Sequence, residues 1–187
     1  MPSEIQEPWN SFFRDLDQIA KGPVAFHCIG GFVITNFYGF SRETLDIDVV
    51  TVCSSHNTDE LFERSGRNSE LHRKYHVYLD RVTVIDAYPE DYEDRLTEMY
   101  PGALNNICLM ALEAHDLALM KLLRNSEKDR EDVKYLARAG HLSSHTLKDR
   151  YEKEMRSYVA LPERRTDSIV KLWIDMIDED EESRGHS

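Results

Sequence analysis

The chain has 187 residues and a net charge of −12, with 23 Lys plus Arg against 35 Asp plus Glu. Its hydrophobic fraction of 41% and charged fraction of 31% are ordinary for a globular protein, and no apolar run approaches the roughly 20 residues that span a bilayer. The excess of acid disfavours long contact with a nucleic-acid backbone, and the first residues lack the pattern of a secretory signal, so we expect a cytoplasmic protein without a membrane partner.

Helix and strand patterns alternate in the first two thirds of the chain. Apolar residues at a spacing of three and four predict helices, and short apolar or alternating runs between turn residues predict strands. In chain order, the patterns predict a helix over 9–20, a strand over 24–29, a short helix that ends at Gly39, a strand over 44–53, a helix broken at Gly66 over 57–75, and two strands around 76–79 and 81–88.

The last third of the chain is predicted to be helical after one more strand over 107–112. Ser126, with Asp129 three residues later, is typical of a helix N-cap, and Gly140 is typical of a helix end. Strands interleaved with helices and followed by helices predict an α/β (α+β) fold with a mixed sheet flanked by helices. We therefore expect an α/β core with an N-terminal helix over 1–112, a helical part packed on it over 113–177, and an acidic disordered tail over 178–187.

Two aspartates, Asp46 and Asp48, fall on one face of the strand predicted over 44–53, because side chains alternate along a strand. Neighbouring carboxylates suit Mg²⁺, and two metal ions can clamp the attacking and leaving oxygens of a phosphoryl-type displacement. Such a site usually needs a third carboxylate from a nearby strand. Asp86, at the end of an apolar run, is the predicted third ligand.

Adjacent glycines, Gly30 and Gly31, follow the strand predicted over 24–29. A turn without Cβ atoms lets backbone N–H groups approach a triphosphate closely. Arg42 and Thr44 lie just before the acidic pair, where a cation and a hydroxyl can reach phosphate or orient carboxylates. These residues are the predicted nucleotide-binding side of the site.

Each pattern also has an ordinary structural explanation. Asp-x-Asp on a strand is more often a solvated face, and Gly-Gly is more often only a turn. Their order is more specific than either motif: a strand, Gly-Gly, a short helix, and then Arg-x-Thr-x-Asp-x-Asp on the next strand. The combination favours one metal-nucleotide site.

In this order the residues resemble the signature of the nucleotidyltransferase superfamily, which has Gly-Gly or Gly-Ser, an acidic pair and a third acid on a later strand. The downstream segment HDLALMKLLRNSEKDREDV, residues 115–133, is similar to a second motif of minimal AbiEii-like enzymes from abortive-infection and type IV toxin-antitoxin systems. The resemblance covers about residues 24–136. Taken alone, the downstream segment predicts only a helix end, a capped turn and a solvated helix start.

The resemblance implies a nucleotidyltransferase-like sheet, an NTP substrate and an antitoxin-like protein partner. It implies that Asp46, Asp48 and Asp86 are catalytic and hold two Mg²⁺ ions. It further implies that Lys121 contacts the triphosphate and that Asp132 supports the nucleotide site.

The predicted function is Mg²⁺-dependent transfer of a nucleoside monophosphate from an NTP to an acceptor hydroxyl on RNA, a protein or a small molecule, with RNA disfavoured by the net charge. The alternative is a catalytically inactive module of the same fold that binds a nucleotide or a partner protein. A phosphohydrolase that uses the same carboxylates also stays open.

Other metal-ligand patterns are weaker. His72 and His76 have the spacing of a helical zinc pair, but the glutamate of a metalloprotease motif and a third ligand are missing. Cys28, Cys53 and Cys108 each lie in an apolar run, which predicts reduced core cysteines rather than disulfides or zinc ligands.

Overall fold

A computed structural model describes residues 4–50, 56–82, 88–159 and 163–185 of the chain. The protein contains a mixed five-stranded sheet with the strand order β3-β2-β1-β5-β4. The β1–β5 and β2–β3 pairs are parallel, whereas the β1–β2 and β4–β5 pairs are antiparallel. The strands are β1 (Val24–Ile29), β2 (Asp46–Val50), β3 (Tyr78–Val82), β4 (Thr97–Met99) and β5 (Ile107–Ala111). The predicted fold class is confirmed.

Along the chain, helices precede, separate and follow the strands. They are α1 (Trp9–Ile19), α2 (Gly30–Asn36), α3 (His56–Ser65), α4 (Glu70–Tyr75), α5 (Ala114–Arg124), α6 (Glu127–Arg138), α7 (Ser144–Arg150) and α8 (Glu163–Gly185). A short 3₁₀ turn covers Tyr92–Arg95. A π turn, Tyr151–Met155, and a 3₁₀ turn, Arg156–Tyr158, continue α7. Within the described residues, no helix combines the length and the apolarity that a membrane crossing requires.

The chain divides into two compact units. The first unit contains Met1–Thr83 and Leu96–Leu112, and the second contains Val84–Arg95 and Glu113–Ser187. The second unit begins at the same point as the predicted helical part, and it also includes Val84–Arg95, which the sequence analysis placed in the core.

The core of the first unit lies on one face of the sheet. Phe26, Cys28, Ile47, Val49 and Leu79 point to that face and are almost fully buried. Helix α1 contributes a buried aromatic stripe, because its apolar residues recur at helical spacing. The members of that stripe are Trp9, Phe12, Phe13 and Leu16.

A buried carboxylate ties α1 to the start of β5. Asp17 accepts hydrogen bonds from the backbone N–H groups of Asn105, Asn106 and Ile107 at 3.0, 2.8 and 2.8 Å. Burial alone would raise the pKa of Asp17, but these N–H donors stabilise the carboxylate and lower the pKa below its usual value. Asp17 therefore fixes the end of α1 to the start of β5.

The second unit contains a buried ion network. Asp116 is fully buried and accepts two hydrogen bonds from Arg95, at 2.9 and 3.1 Å, and one from Arg150 at 2.8 Å. Arg150 also pairs with Glu113, which binds the ring of His115. Burial would raise the pKa of Glu113, but the hydrogen bond and charge of His115 and the charge of Arg150 lower it to about 2. The network joins α5, α7 and the 3₁₀ turn through charge as well as through packing.

The predicted disordered tail is wrong for most of its length, because α8 continues to Gly185. Ile177 is fully buried and fixes the helix just before the acidic run. Beyond it, the Ser183 hydroxyl donates to the carbonyl of Glu179 at 2.8 Å and the Ser144 hydroxyl donates to Glu181 at 3.4 Å. Glutamate is also a good helix former, so an anchored helix can extend through an acidic segment.

Two strand predictions also change. Strand β3 combines the strand predicted around 76–79 with the start of the strand predicted over 81–88. Residues 83–87 lie outside the described part of the chain. Strand β4 was not predicted, because its three residues, Thr97–Met99, show no alternating pattern. It forms through antiparallel pairing with β5.

Candidate functional site

Gly30 directly follows β1 and lies against the partly exposed face of β2. The antiparallel register pairs Ile29 with Asp48, so the residue that follows β1 reaches the Asp48 side chain. Gly30 has a φ of +70°, and a Cβ atom built on it would lie 2.2 Å from Asp48 Oδ2. Both the left-handed backbone and this close approach require glycine at that position.

Gly31 brings the predicted cation and hydroxyl to the same turn. A Cβ atom on Gly31 would lie 2.5 Å from Nη2 of Arg42 and 3.4 Å from Oγ1 of Thr44. The Gly-Gly turn, Arg42 and Thr44 therefore share one small region, as the order of the motifs predicted.

The acidic pair lies on one face of β2, as predicted. Asp46 and Asp48 are half-buried on this face. The alternating residues Ile47 and Val49 are buried on the opposite face. The Thr44 hydroxyl is 3.1 Å from the carbonyl oxygen and 3.3 Å from Oδ1 of Asp46. Thr44 thus orients the Asp46 carboxylate by a neutral donor. We call Gly30, Gly31, Arg42, Thr44, Asp46 and Asp48 the acidic-turn site.

The predicted third acid, Asp86, lies outside the described residues. The structure brings a different aspartate to the acidic face: the parallel register of β2 and β3 pairs Asp48 with Asp80 and Asp46 with Tyr78. Paired residues of parallel strands project to the same face, so exposed Asp80 follows Asp48 across the sheet. Sequence analysis missed Asp80, although the alternation Tyr78, Asp80, Val82 was available as a signal.

The described residues supply two of the carboxylates that a metal site needs. Among residues 4–50, 56–82, 88–159 and 163–185, no group of three or more His, Cys, Asp or Glu is arranged to hold a metal ion. Mg²⁺ commonly uses only one or two carboxylates, with substrate phosphates and water completing its coordination. Asp46 and Asp48 fit that smaller donor set.

The downstream motif forms a second cluster, located in the second unit. The Lys121 ammonium lies 2.6 Å from Asp132 and 3.6 Å from Asp129, and the three side chains are 5%, 1% and 1% exposed. Lys121 and Asp132, which the resemblance assigns to the nucleotide, are therefore held against each other away from solvent. We call Lys121, Arg124, Asp129 and Asp132 the buried-lysine cluster.

Asp129 also organises the turn between α5 and α6. It receives two hydrogen bonds from Arg124, at 2.7 and 2.6 Å, and forms a reciprocal capping box with Ser126. Burial would raise the pKa of Asp129, but the hydrogen bonds from Arg124 and Ser126 lower it to about 2. The predicted Ser126 cap is confirmed, and of the acids at this helix start Asp129 and Asp132 are buried, whereas Glu127 and Glu131 are exposed.

The weaker metal-ligand patterns have structural roles. Nδ1 of His72 accepts the N–H of Asn68 at 2.8 Å, and the ring packs edge-on against Tyr78. His76 has a φ of +61° and ends α4. Cys28 and Cys108 are free thiols, as predicted, and Cys53 lies outside the described residues.

A mixed sheet that joins a Gly-Gly turn to Asp-x-Asp on the neighbouring strand defines a nucleotidyltransferase-like α+β protein. Residues 12–180 match the model of the family described as nucleotidyltransferase of unknown function (DUF6036), and the chain belongs to this family. No curated protein and no solved structure gives a significant match to the chain. The family supports the superfamily predicted from the sequence, and it carries no AbiEii-like assignment.

Proposed function

We propose that this protein is a Mg²⁺-dependent nucleotidyltransferase that moves a nucleoside monophosphate from an NTP to an acceptor hydroxyl. The observation that carries the proposal is the close approach of Gly30 to Asp48, because it sets a glycine pair of the kind that can approach phosphate beside a carboxylate that could hold Mg²⁺. Membership of a nucleotidyltransferase family supports the reaction class.

In this proposal, Asp46 and Asp48 hold Mg²⁺, which neutralises the charge that develops on the triphosphate. The Gly30-Gly31 backbone and the Arg42 guanidinium bind the phosphate oxygens, since Arg42 already lies against Gly31. Thr44 keeps the Asp46 carboxylate in one orientation through its hydroxyl. In this proposal, the groups that bind and orient the nucleotide lie at the start of α2, in the segment before β2 and on β2 itself.

The reaction is a displacement at the α-phosphorus. The acceptor oxygen forms the new P–O bond, the bond to the β-phosphate oxygen breaks, and pyrophosphate leaves. A carboxylate of the acidic face accepts the acceptor's proton. Asp80 is the proposed third acid on that face, because it is paired with Asp48, and Asp86 stays a proposal from the resemblance alone.

The buried-lysine cluster enters the proposal differently from the sequence prediction. Lys121 is 5% exposed and ion-paired with Asp132, so a contact with the triphosphate requires this pair to open. The assignment of Lys121 and Asp132 to the nucleotide rests on the resemblance alone. An antitoxin-like protein partner and a cytoplasmic location rest on the resemblance and the composition alone.

A binding module without catalysis is the competing function. One observation favours it: Lys121, which the resemblance assigns to the triphosphate, is 5% exposed and ion-paired with Asp132. Such a module would bind an NTP or a partner protein without transferring a nucleotide.

The test compares the wild-type protein with Asp48→Asn, in the presence of Mg²⁺, α-labelled NTPs and a panel of RNA, protein and small-molecule acceptors. We expect Asp48→Asn to reduce label transfer by about 10³-fold or more, because it removes one of the two carboxylates proposed to hold Mg²⁺, whose positive charge would stabilise the phosphoryl transition state. Asp91→Asn is the matched control, since Asp91 is an exposed aspartate outside the acidic-turn site.

Calorimetric titration with NTP and Mg²⁺ separates the two functions. NTP binding that depends on Asp48, without transfer to any acceptor, would favour the binding module. Transfer that survives Asp48→Asn would overturn the metal-dependent reaction.

A further inference from the structure

Helix α8 carries two distinct stripes of side chains. Thr166, Val170, Trp173 and Ile177 are buried and face the interior of the second unit. A separate stripe follows the spacing 4-3-4-3-4 along the helix, which is the spacing that keeps residues on one side of an α-helix. We call it the outer stripe, and its members are Arg165, Ile169, Leu172, Met176, Glu179 and Ser183.

The middle of the outer stripe is apolar and exposed to solvent. Leu172 has 67% of its surface exposed, and Ile169 and Met176, on either side of it, are half-buried. The outer stripe lies roughly 100° around the helix from the buried stripe, at 100° per residue. The packing that buries Trp173 therefore leaves Leu172 uncovered.

The ends of the outer stripe carry opposite charges at equal distances from its centre. Arg165 is seven residues before Leu172, Glu179 is seven residues after it, and both are exposed. If two copies of the helix paired in parallel, like charges would meet at both ends. If they paired antiparallel, Arg165 of each copy would meet Glu179 of the other, and the leucines would meet at the two-fold axis.

We propose that the outer stripe is the docking surface for a second copy of this chain, paired antiparallel along α8. The 4-3 spacing of the apolar residues matches the seam of an antiparallel helix pair. The mirrored charges favour a second copy over an unrelated helix, because one stripe supplies both members of each ion pair. The proposal is independent of the nucleotide chemistry.

The first test is sedimentation velocity of the full chain over a range of concentrations. We expect a reversible dimer, and we expect Leu172→Glu to raise its dissociation constant by about 100-fold, because it places two acids at the centre of the seam. Lys171→Glu is the matched control: Lys171 is an exposed neighbour on α8 that lies off the outer stripe. Circular dichroism checks that both variants keep their helical content.

The second test exchanges the charges. Arg165→Glu alone and Glu179→Arg alone should each weaken self-association by about tenfold, because each leaves like charges at both ends. Mixing the two variants should restore a dimer, since every contact is then complementary again. A wild-type chain that stays monomeric at all concentrations, a dimer that ignores Leu172→Glu, or mixed variants that do not associate would each overturn the proposal.

Discussion

The acidic-turn site and the buried-lysine cluster both contain an arginine and two aspartates, but the aspartates differ in their burial and in their partners. In the acidic-turn site, Asp46 and Asp48 are half-buried on one face, and Asp46 is oriented by the neutral hydroxyl of Thr44. In the buried-lysine cluster, Asp129 and Asp132 are 1% exposed and hold Lys121 between them.

The two sites therefore differ in burial: the aspartates of the acidic-turn site are half-buried, whereas those of the buried-lysine cluster are enclosed together with an ammonium group. Neighbouring carboxylates near solvent repel each other and favour a bound metal ion, whereas buried carboxylates with an ammonium group are already compensated. In the sequence alone, each site is an arginine followed by two aspartates at a fixed spacing. Stability measurements on matched variants should distinguish them.

Lys121→Met should give the largest loss of stability. The substitution leaves the carboxylates of Asp129 and Asp132 buried without the ammonium between them. Removing one partner of a buried ion pair costs about 3–5 kcal/mol. Urea unfolding in a Trp9→Phe background measures this loss through Trp173, the tryptophan of the second unit, which is buried.

The double variant Lys121→Met/Asp132→Leu is the control for this prediction. It removes both charges of the 2.6 Å pair, so much of the loss should be recovered. Equal stabilities of the single and double variants would show that the pair is not energetically coupled.

Acid should weaken the buried-lysine cluster next. The pKa of Asp129 falls from 3.8 to about 2 on folding, so its stabilising share is fully present above pH 3.8 and is lost as the pH falls through 2. A shift of that size is worth about 2 kcal/mol. The stability difference between wild type and Asp129→Asn should shrink by this amount between pH 6 and pH 2. A difference that does not change with pH would contradict the assignment.

Asp46→Asn should have the smallest effect on stability. It removes one of two neighbouring negative charges from a half-buried position, so we expect a change within about 0.5 kcal/mol, in either direction. Unfolding followed by Trp9 fluorescence in a Trp173→Phe background reports the first unit. A loss above about 2 kcal/mol would place Asp46 among the structural residues and remove the contrast.

Local sequence patterns were sufficient to predict much of the fold and half of the acidic-turn site. The strand over Val24–Ile29 and the break between α3 and α4 follow from apolar periodicity and glycine, which act within a few residues. The order of the motifs also predicted that the Gly-Gly pair and the acidic pair share one site, although α2 separates β1 from β2 and it is their antiparallel pairing that brings Gly30 to Asp48.

The remaining features depend on pairing between distant segments. Asp80 joins the acidic face only through the register of β2 with β3, and β4 exists only because β5 pairs with it. The burial of Lys121 depends on the packing of α5 against α6, which helical periodicity does not reveal. Composition likewise predicted a disordered acidic tail. Instead, the buried side chain of Ile177 anchors α8 just before this segment, and the helix continues to Gly185.

The path of the chain through its two units limits where it can be recombined. Residues Val84–Arg95 belong to the second unit although they lie between two segments of the first. They end in Arg95, whose guanidinium makes two hydrogen bonds to fully buried Asp116. A recombination event at the junction of residues 112 and 113 would transfer Asp116 without this arginine. A single crossover there would therefore separate the buried carboxylate from its donor, so neither unit can be exchanged alone without losing these hydrogen bonds.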